Sequence, residues 1–137
     1  MRVAVVFFSG RNRDRMMSLA RALGRGIEKQ GNSVDVLDGA RDTNVRLTIY
    51  QYVALGAEPG GTFGGKVPEG VRTFLAASGI VAGRKSYAFV PKAPFGAAKA
   101  LAALMKCMEG EGMFLKNSDI LRSPTEAEEI GRRLRIS

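Results

Sequence analysis

Positively charged side chains gather just after the first apolar segment of the chain. Residues 3–8 are all apolar, and the polar stretch that follows carries Arg11, Arg13 and Arg15. If a helix begins in this stretch, its free backbone amides and its dipole favour a bound anion, and arginines add charge-assisted donors. The pattern predicts a site for a phosphate-bearing ligand. The alternative, that the arginines simply face solvent from a turn, is left open by the sequence.

Residue counts exclude several kinds of chemistry. The sequence contains no histidine and one cysteine, Cys107, which excludes an internal disulfide, ordinary zinc sites and histidine-based triads. Catalysis would need carboxylates, lysine, tyrosine or a bound cofactor, so the sequence does not decide whether the chain is an enzyme. Cys107 lies beside the apolar face of a helical pattern and is interpreted as structural. Asp35, Asp38 and Asp42 fit a cation site and a polar turn equally well.

The chain is strongly basic. It has 21 Lys and Arg against 13 Asp and Glu, which gives a formal net charge of +8. Such a charge favours acidic partners or nucleic acid. No basic run exceeds two residues and no known nucleic-acid-binding module is visible, so a solvated basic face is the favoured interpretation over a nucleic-acid stripe.

Strand and helix patterns alternate along the 137 residues, which predicts a single domain over residues 1–137. Strands are predicted at residues 3–8, 33–37, 49–55 and 86–90, and a fifth strand is predicted to start at residues 113–115 and to resume at residues 120–121. Helices are predicted at residues 15–30, 68–79, 97–109 and 124–135, with Asp14 and Ser123 as N-caps. The continuous apolar character of residues 3–8 indicates a strand buried on both faces. No apolar segment is long enough to span a bilayer, so we expect a soluble cytoplasmic protein without a membrane partner.

Ligands of open α/β sheets bind beyond the carboxyl ends of the strands. Three loops are predicted to lie there, at residues 9–14, 57–66 and 92–96. Residues 3–9 (VAVVFFS), the loop leading into the first helix, and residues 53–56 (VALG) with Pro59 just beyond resemble the flavodoxin-like family. The resemblance covers nearly the whole chain. It implies a three-layer α/β sandwich with a five-stranded parallel sheet in strand order 2-1-3-4-5.

The resemblance also implies a cofactor, FMN, held by these three loops. It assigns the phosphate to the first loop and the isoalloxazine ring to the space between the other two. The candidate FMN-binding residues are Ser9, Gly10, Arg11, Asn12, Arg13, Asp14, Glu58, Pro59, Gly60, Phe63, Pro94, Phe95 and Gly96.

The first loop departs from the family's hydroxyl-rich pattern S/T-x-T-G-x-T, of which only Ser9 clearly matches. Arginines would have to replace the missing hydroxyl donors. The main hypothesis is an FMN-binding protein in electron transfer or flavin-dependent reduction, with a redox partner that is more acidic than basic. The alternative is a flavodoxin-fold binding or regulatory module that no longer binds FMN. A third hypothesis is binding of an acidic macromolecule through the arginine-rich face.

Overall fold

Strands and helices alternate along the chain in a computed structural model, which describes residues 1–42, 44–59, 70–79 and 81–137. The elements are β1 (Arg2–Phe8), α1 (Arg13–Glu28), β2 (Ser33–Asp38), a short 3-10 helix (Leu47–Ile49), β3 (Tyr52–Ala57), α2 (Gly70–Ala77), β4 (Lys85–Pro91), α3 (Ala97–Gly110), β5 (Phe114–Leu121) and α4 (Pro124–Arg133).

The five strands form one parallel sheet in the order β2-β1-β3-β4-β5. This confirms the predicted fold class and strand order. Because every strand runs the same way, the carboxyl ends of all five lie at one edge of the sheet and the amino ends at the other. The segments that directly follow β1, β3 and β4 therefore begin at the carboxyl edge, as predicted, and residues 60–66 of the second predicted loop lie outside the described residues.

Both faces of the sheet are covered by helices, which explains why β1 is apolar throughout. Val3, Val5 and Phe7 pack with residues of α1 and α4, whereas Ala4, Val6 and Phe8 pack with residues of α2 and α3. The two clusters are the two cores of a three-layer sandwich. Within the described ranges, no helix combines the length and the apolar character needed to cross a bilayer.

Three boundaries differ from the predictions, each for a local reason. The N-cap of α1 is Asn12, whose side chain accepts a hydrogen bond from the Arg15 amide, and Asp14 lies in the first turn. β3 begins at Tyr52 because residues 47–49 form the 3-10 helix. β5 is one continuous edge strand. Ser123 caps α4 as predicted, accepting from the Glu126 amide at 3.2 Å.

Candidate functional site

The predicted phosphate loop, residues 9–14, lies at the carboxyl edge between the ends of β1 and β3. The Glu58 amide donates to the carbonyl of Phe8 at 2.8 Å, which extends the β1–β3 pairing by one step beyond the strands. That hydrogen bond places the Glu58 side chain beside the loop that follows β1. The loop then turns into α1 through the N-cap Asn12.

Glu58 is the residue that organises this loop. Its Oε1 accepts hydrogen bonds from the backbone amides of Gly10, at 2.7 Å, and Asn12, at 2.8 Å. The residue is only 7% exposed. A buried carboxylate is stable when it accepts such bonds, and a helix N-terminus is where an anion is favoured. The internal carboxylate therefore serves as the anion of this loop.

The backbone of Gly10 packs closely against Glu58. A Cβ at this position would lie 3.1 Å from the Glu58 carbonyl oxygen and 3.5 Å from its Oε1. The absence of a side chain lets the loop backbone approach Glu58 closely enough for the amide to reach the carboxylate.

The arginines of the loop face acceptors of the protein. Arg13 Nε donates to Asp38 Oδ2 at 2.9 Å, and Asp38 is itself 6% exposed at the end of β2. The Arg15 guanidinium donates to the backbone carbonyl of Lys92. Arg13 and Arg15 thus fasten the loop to the ends of β2 and β4, whereas Arg11 is exposed.

The predicted ring-binding residues are only partly described. Gly60 and Phe63 lie outside the described residues. Pro59 is half-buried next to Glu58, and Pro94 is exposed. Phe95 is 66% exposed in the loop before α3, and Gly96 is the N-cap of that helix, with φ of 78°. The structure therefore brings Ser9, Gly10, Asn12, Glu58 and Pro59 to one place, and Phe95 projects from the neighbouring loop.

A phosphate group and this arrangement compete for the same donors. The Gly10 and Asn12 amides already bind a carboxylate, and Arg13 and Arg15 bind protein oxygens. A phosphate placed on these amides would also stand next to the negative charge of Glu58. The residues in this arrangement do not fit the phosphate of FMN.

No protein-family model matches the sequence, and neither does any curated protein. Solved structures do match. A flavodoxin from the domain Archaea is 20% identical, with a TM-score of 0.75 over 97% of this chain and 95% of that one. Flavodoxin 1 from Bacillus cereus is 18% identical, with a TM-score of 0.70 over 96% and 92%. Megasphaera elsdenii flavodoxin is 13% identical, with a TM-score of 0.70 over 95% and 99%.

The chain has a flavodoxin-like fold. Glu58 stands directly before Pro59, just beyond the end of β3. The resemblance assigns Glu58 to the ring site, whereas the structure directs its carboxylate to the first loop. An acidic residue directly after a strand that is buried throughout, at the edge where the first loop lies, is the signal that could have revealed this role.

Three carboxylates that could have suggested a cation site have protein partners instead. Asp35 accepts from the Tyr50 hydroxyl at 2.8 Å, Asp38 binds Arg13, and Asp42 accepts from the Asp38 amide at 2.8 Å. No group of three metal-ligating side chains occurs among the described residues. These aspartates belong to β2 and to the polar turn at its end.

Proposed function

We propose that this protein is a flavodoxin-fold binding module that does not hold FMN through the loop after β1. The observation that carries the proposal is the Glu58 carboxylate on the amides of Gly10 and Asn12. In this interpretation Glu58 replaces the ligand phosphate and keeps the loop ordered without a cofactor.

The energetics of the loop support this proposal. A hydrogen bond to a charged group contributes about 1.5–3 kcal/mol, and Glu58 accepts two of them in a nearly buried position. Binding a phosphate here would require breaking both bonds and moving the carboxylate into solvent. An added ligand must first recover that loss, which lowers its affinity.

The charge of the chain indicates the kind of partner. A net charge of +8 favours association with an acidic protein through long-range attraction. The described side chains of the site form no nucleophile–base pair, and so the proposed role is binding rather than catalysis by the chain itself. The proposed partner is an acidic protein.

FMN-binding electron transfer, or flavin-dependent reduction, is the second candidate. It is favoured by the similarity to flavodoxin structures over nearly the full chain. Flavin, when bound, supplies the redox chemistry in such proteins. This candidate requires Glu58 to leave the loop amides.

An absorbance spectrum from the near-ultraviolet to the blue decides between the two candidates. The purified protein is expected to show no flavin bands, and added FMN is expected to keep its fluorescence at micromolar protein. A stoichiometric flavin spectrum, or full quenching of FMN by the protein, would reject the binding-module proposal.

A further inference from the structure

Exposed large apolar side chains are concentrated at the amino edge of the sheet, opposite the candidate site. Of the four in the described part of the chain, Met1, Ile49 and Phe114 lie there, and Phe95 alone lies at the carboxyl edge. Ile49 is 47% exposed just before β3, and Phe114 is 57% exposed at the first position of β5.

The same edge carries a group of cations. Five basic residues precede or begin the strands β1, β3, β4 and β5, or lie near the start of β5: Arg2, Arg46, Arg84, Lys85 and Lys116. We call these five together with Ile49 and Phe114 the amino-edge patch. The nearest acidic residues are Asp35, which is paired with Arg2 at 3.6 Å, and Glu109 and Glu111 at the end of α3. Because these three carboxylates are fewer than the five basic side chains, the patch is positively charged.

Backbone and side-chain contacts show that the patch is continuous. The Gln51 amide donates to the Arg2 carbonyl at 2.9 Å, and the Phe114 amide donates to the Arg84 carbonyl at 2.8 Å. The Arg84 guanidinium reaches the carbonyl of Thr48, next to Ile49, at 3.5 Å. Lys116 Nζ lies 5.4 Å from the centre of the Phe114 ring. Strand spacing makes the distance from β1 to β5 about 14 Å, so the patch fits on one partner surface.

Arg84 is poorly satisfied by its own protein. Its Nε is buried with no hydrogen-bond partner in the described structure, and its side chain makes one long bond, to Thr48. Nearly all buried donors in proteins have an acceptor, so a donor without one requires an explanation. A carboxylate docked beside Arg84 would draw the guanidinium outward and supply that acceptor.

We infer that the amino-edge patch is a docking surface for a protein partner with an acidic, partly apolar face. Arginine and aromatic residues are enriched in protein interfaces, where an exposed aromatic side chain acts as the anchor. A membrane-surface site would be expected to use an amphipathic helix, whereas here Ile49 comes from a three-residue 3-10 helix and Phe114 from the start of β5. The inference builds on the proposed function as a binding module and assigns its partner surface.

The test uses the full isotope-labelled chain and a synthetic peptide rich in Asp and Glu with interspersed Leu and Phe. Amide shifts are recorded during titration at low salt and at physiological salt. Shifts are expected at Arg2, Ile49, Arg84, Phe114 and Lys116, with affinity falling as salt rises. Shifts confined to the carboxyl edge, or an absence of binding, would overturn the inference.

Matched variants inside and outside the amino-edge patch show which side chains contribute to peptide binding. Phe114→Ser and Lys116→Glu are each expected to weaken peptide binding by at least about tenfold, because they remove the anchor and reverse a charge of the patch. Phe95→Ser and Lys99→Glu remove an exposed ring and reverse an exposed lysine outside the patch, and both are expected to bind the peptide normally. Equal losses from both pairs of variants would contradict the assignment.

Two further probes separate this inference from its rivals. A DNA duplex or phosphatidylserine vesicles that bind the patch while the peptide does not would overturn it in favour of nucleic acid or membrane. A flavin spectrum is recorded on the same sample. If the protein carries flavin and binds the peptide, the proposed function is rejected and the docking surface is retained. If the protein is free of flavin and does not bind the peptide, the docking surface is rejected and the proposed function is retained.

Discussion

Glu58 Oε1 lies 2.7 Å from the backbone nitrogen of Gly10, so the residue that follows β3 closes the loop that follows β1. The contact joins the ends of two neighbouring strands at the carboxyl edge. The same Oε1 also accepts from the amide of the N-cap Asn12, where a ligand anion would otherwise be favoured. Removal of this carboxylate is therefore the most direct test of what the loop can hold.

Glu58→Ser is expected to open an anion site at Gly10 and Asn12. The two amides lose their internal acceptor, so the free energy of unfolding should fall by about 1–3 kcal/mol. Inorganic phosphate should then shift both amide signals in the variant and leave them unmoved in the parent protein. Urea unfolding and a phosphate titration followed by NMR measure the two effects.

Glu129→Gln is the control for that substitution. Glu129 forms exposed ion pairs with Arg132 and Arg133 on α4, far from the loop in sequence and on a different element. Its loss should change stability by less than about 1 kcal/mol and phosphate binding not at all. A Glu58→Ser protein as stable as its parent, with Gly10 and Asn12 amide signals unchanged, would remove the proposed role of the carboxylate.

The architecture was predictable because burial leaves a pattern in sequence. The unbroken apolar run at residues 3–8 reports helices on both faces, and the alternation of strand and helix patterns reports a parallel sheet. The sequence predicts that β3 begins three residues too early because Ile49 and Tyr50 favour strands. In the structure residues 47–49 form a 3-10 helix, and Tyr50 directs its hydroxyl to Asp35.

The site was less predictable because its decisive contact joins residues far apart in sequence. Glu58 and Gly10 are 48 positions apart, and no local pattern states that their loops meet within hydrogen-bond distance. The sequence predicts that the arginines are donors, but nothing local in it indicates that Arg13 and Arg15 have protein acceptors. The cap was ambiguous for a similar reason, since Asn12 and Asp14 are both good N-cap residues.

Tyr52→Phe is expected to stabilise the protein slightly, by up to about 1 kcal/mol. The Tyr52 hydroxyl is buried without a hydrogen-bond partner in the described structure, and its burial raises the pKa of the phenol. Removing an unsatisfied polar group removes its desolvation penalty.

Tyr87→Phe is the matched comparison and should lower stability by about 1–2 kcal/mol. The Tyr87 hydroxyl donates to Asp119 Oδ2 at 2.9 Å, so this substitution removes a made bond. Both variants are measured by thermal and urea unfolding. If Tyr52→Phe and Tyr87→Phe change the free energy of unfolding in the same direction, the two hydroxyls do not differ in hydrogen bonding as described.

Stability is expected to fall as pH rises from 10 to 12, in part through Tyr50. Burial, and then the hydrogen bond to Asp35, raise the pKa of Tyr50 from 10.0 to about 12 in the folded protein. Between those values the unfolded chain loses the proton and the folded chain keeps it, so unfolding is favoured by rising pH. Below pH 10 both states are protonated and this contribution is fully present.

Tyr50→Phe isolates that contribution from the other groups that titrate at high pH. Urea unfolding of the parent and the variant at a series of pH values should give a shallower loss of stability for the variant between pH 10 and 12. Parallel curves over this interval would show that Tyr50 titrates alike in the folded and unfolded chains.

Gly26→Ala is expected to destabilise the packing of α1 on α4. A Cβ at Gly26 would lie 2.1 Å from the Glu128 carbonyl oxygen and 2.8 Å from the Arg132 amide, and backbone atoms cannot yield as a flexible side chain can. The same close approach occurs at Gly131 on α4, where an added Cβ would lie 2.3 Å from the Leu23 carbonyl oxygen of α1. Separating the helices to relieve the overlap opens the core beneath them, so a loss of about 3 kcal/mol or more is expected.

Gly110→Ala gives the reference for that substitution. Gly110 is the last residue of α3, and nothing lies within 4 Å of an added Cβ. Alanine there should be neutral or stabilising by up to about 1 kcal/mol, since it favours the helix and restricts the unfolded chain. Circular dichroism followed during urea unfolding compares the two proteins. If Gly26→Ala unfolds at the same urea concentration as Gly110→Ala, the two helices do not pack backbone to backbone at this crossing.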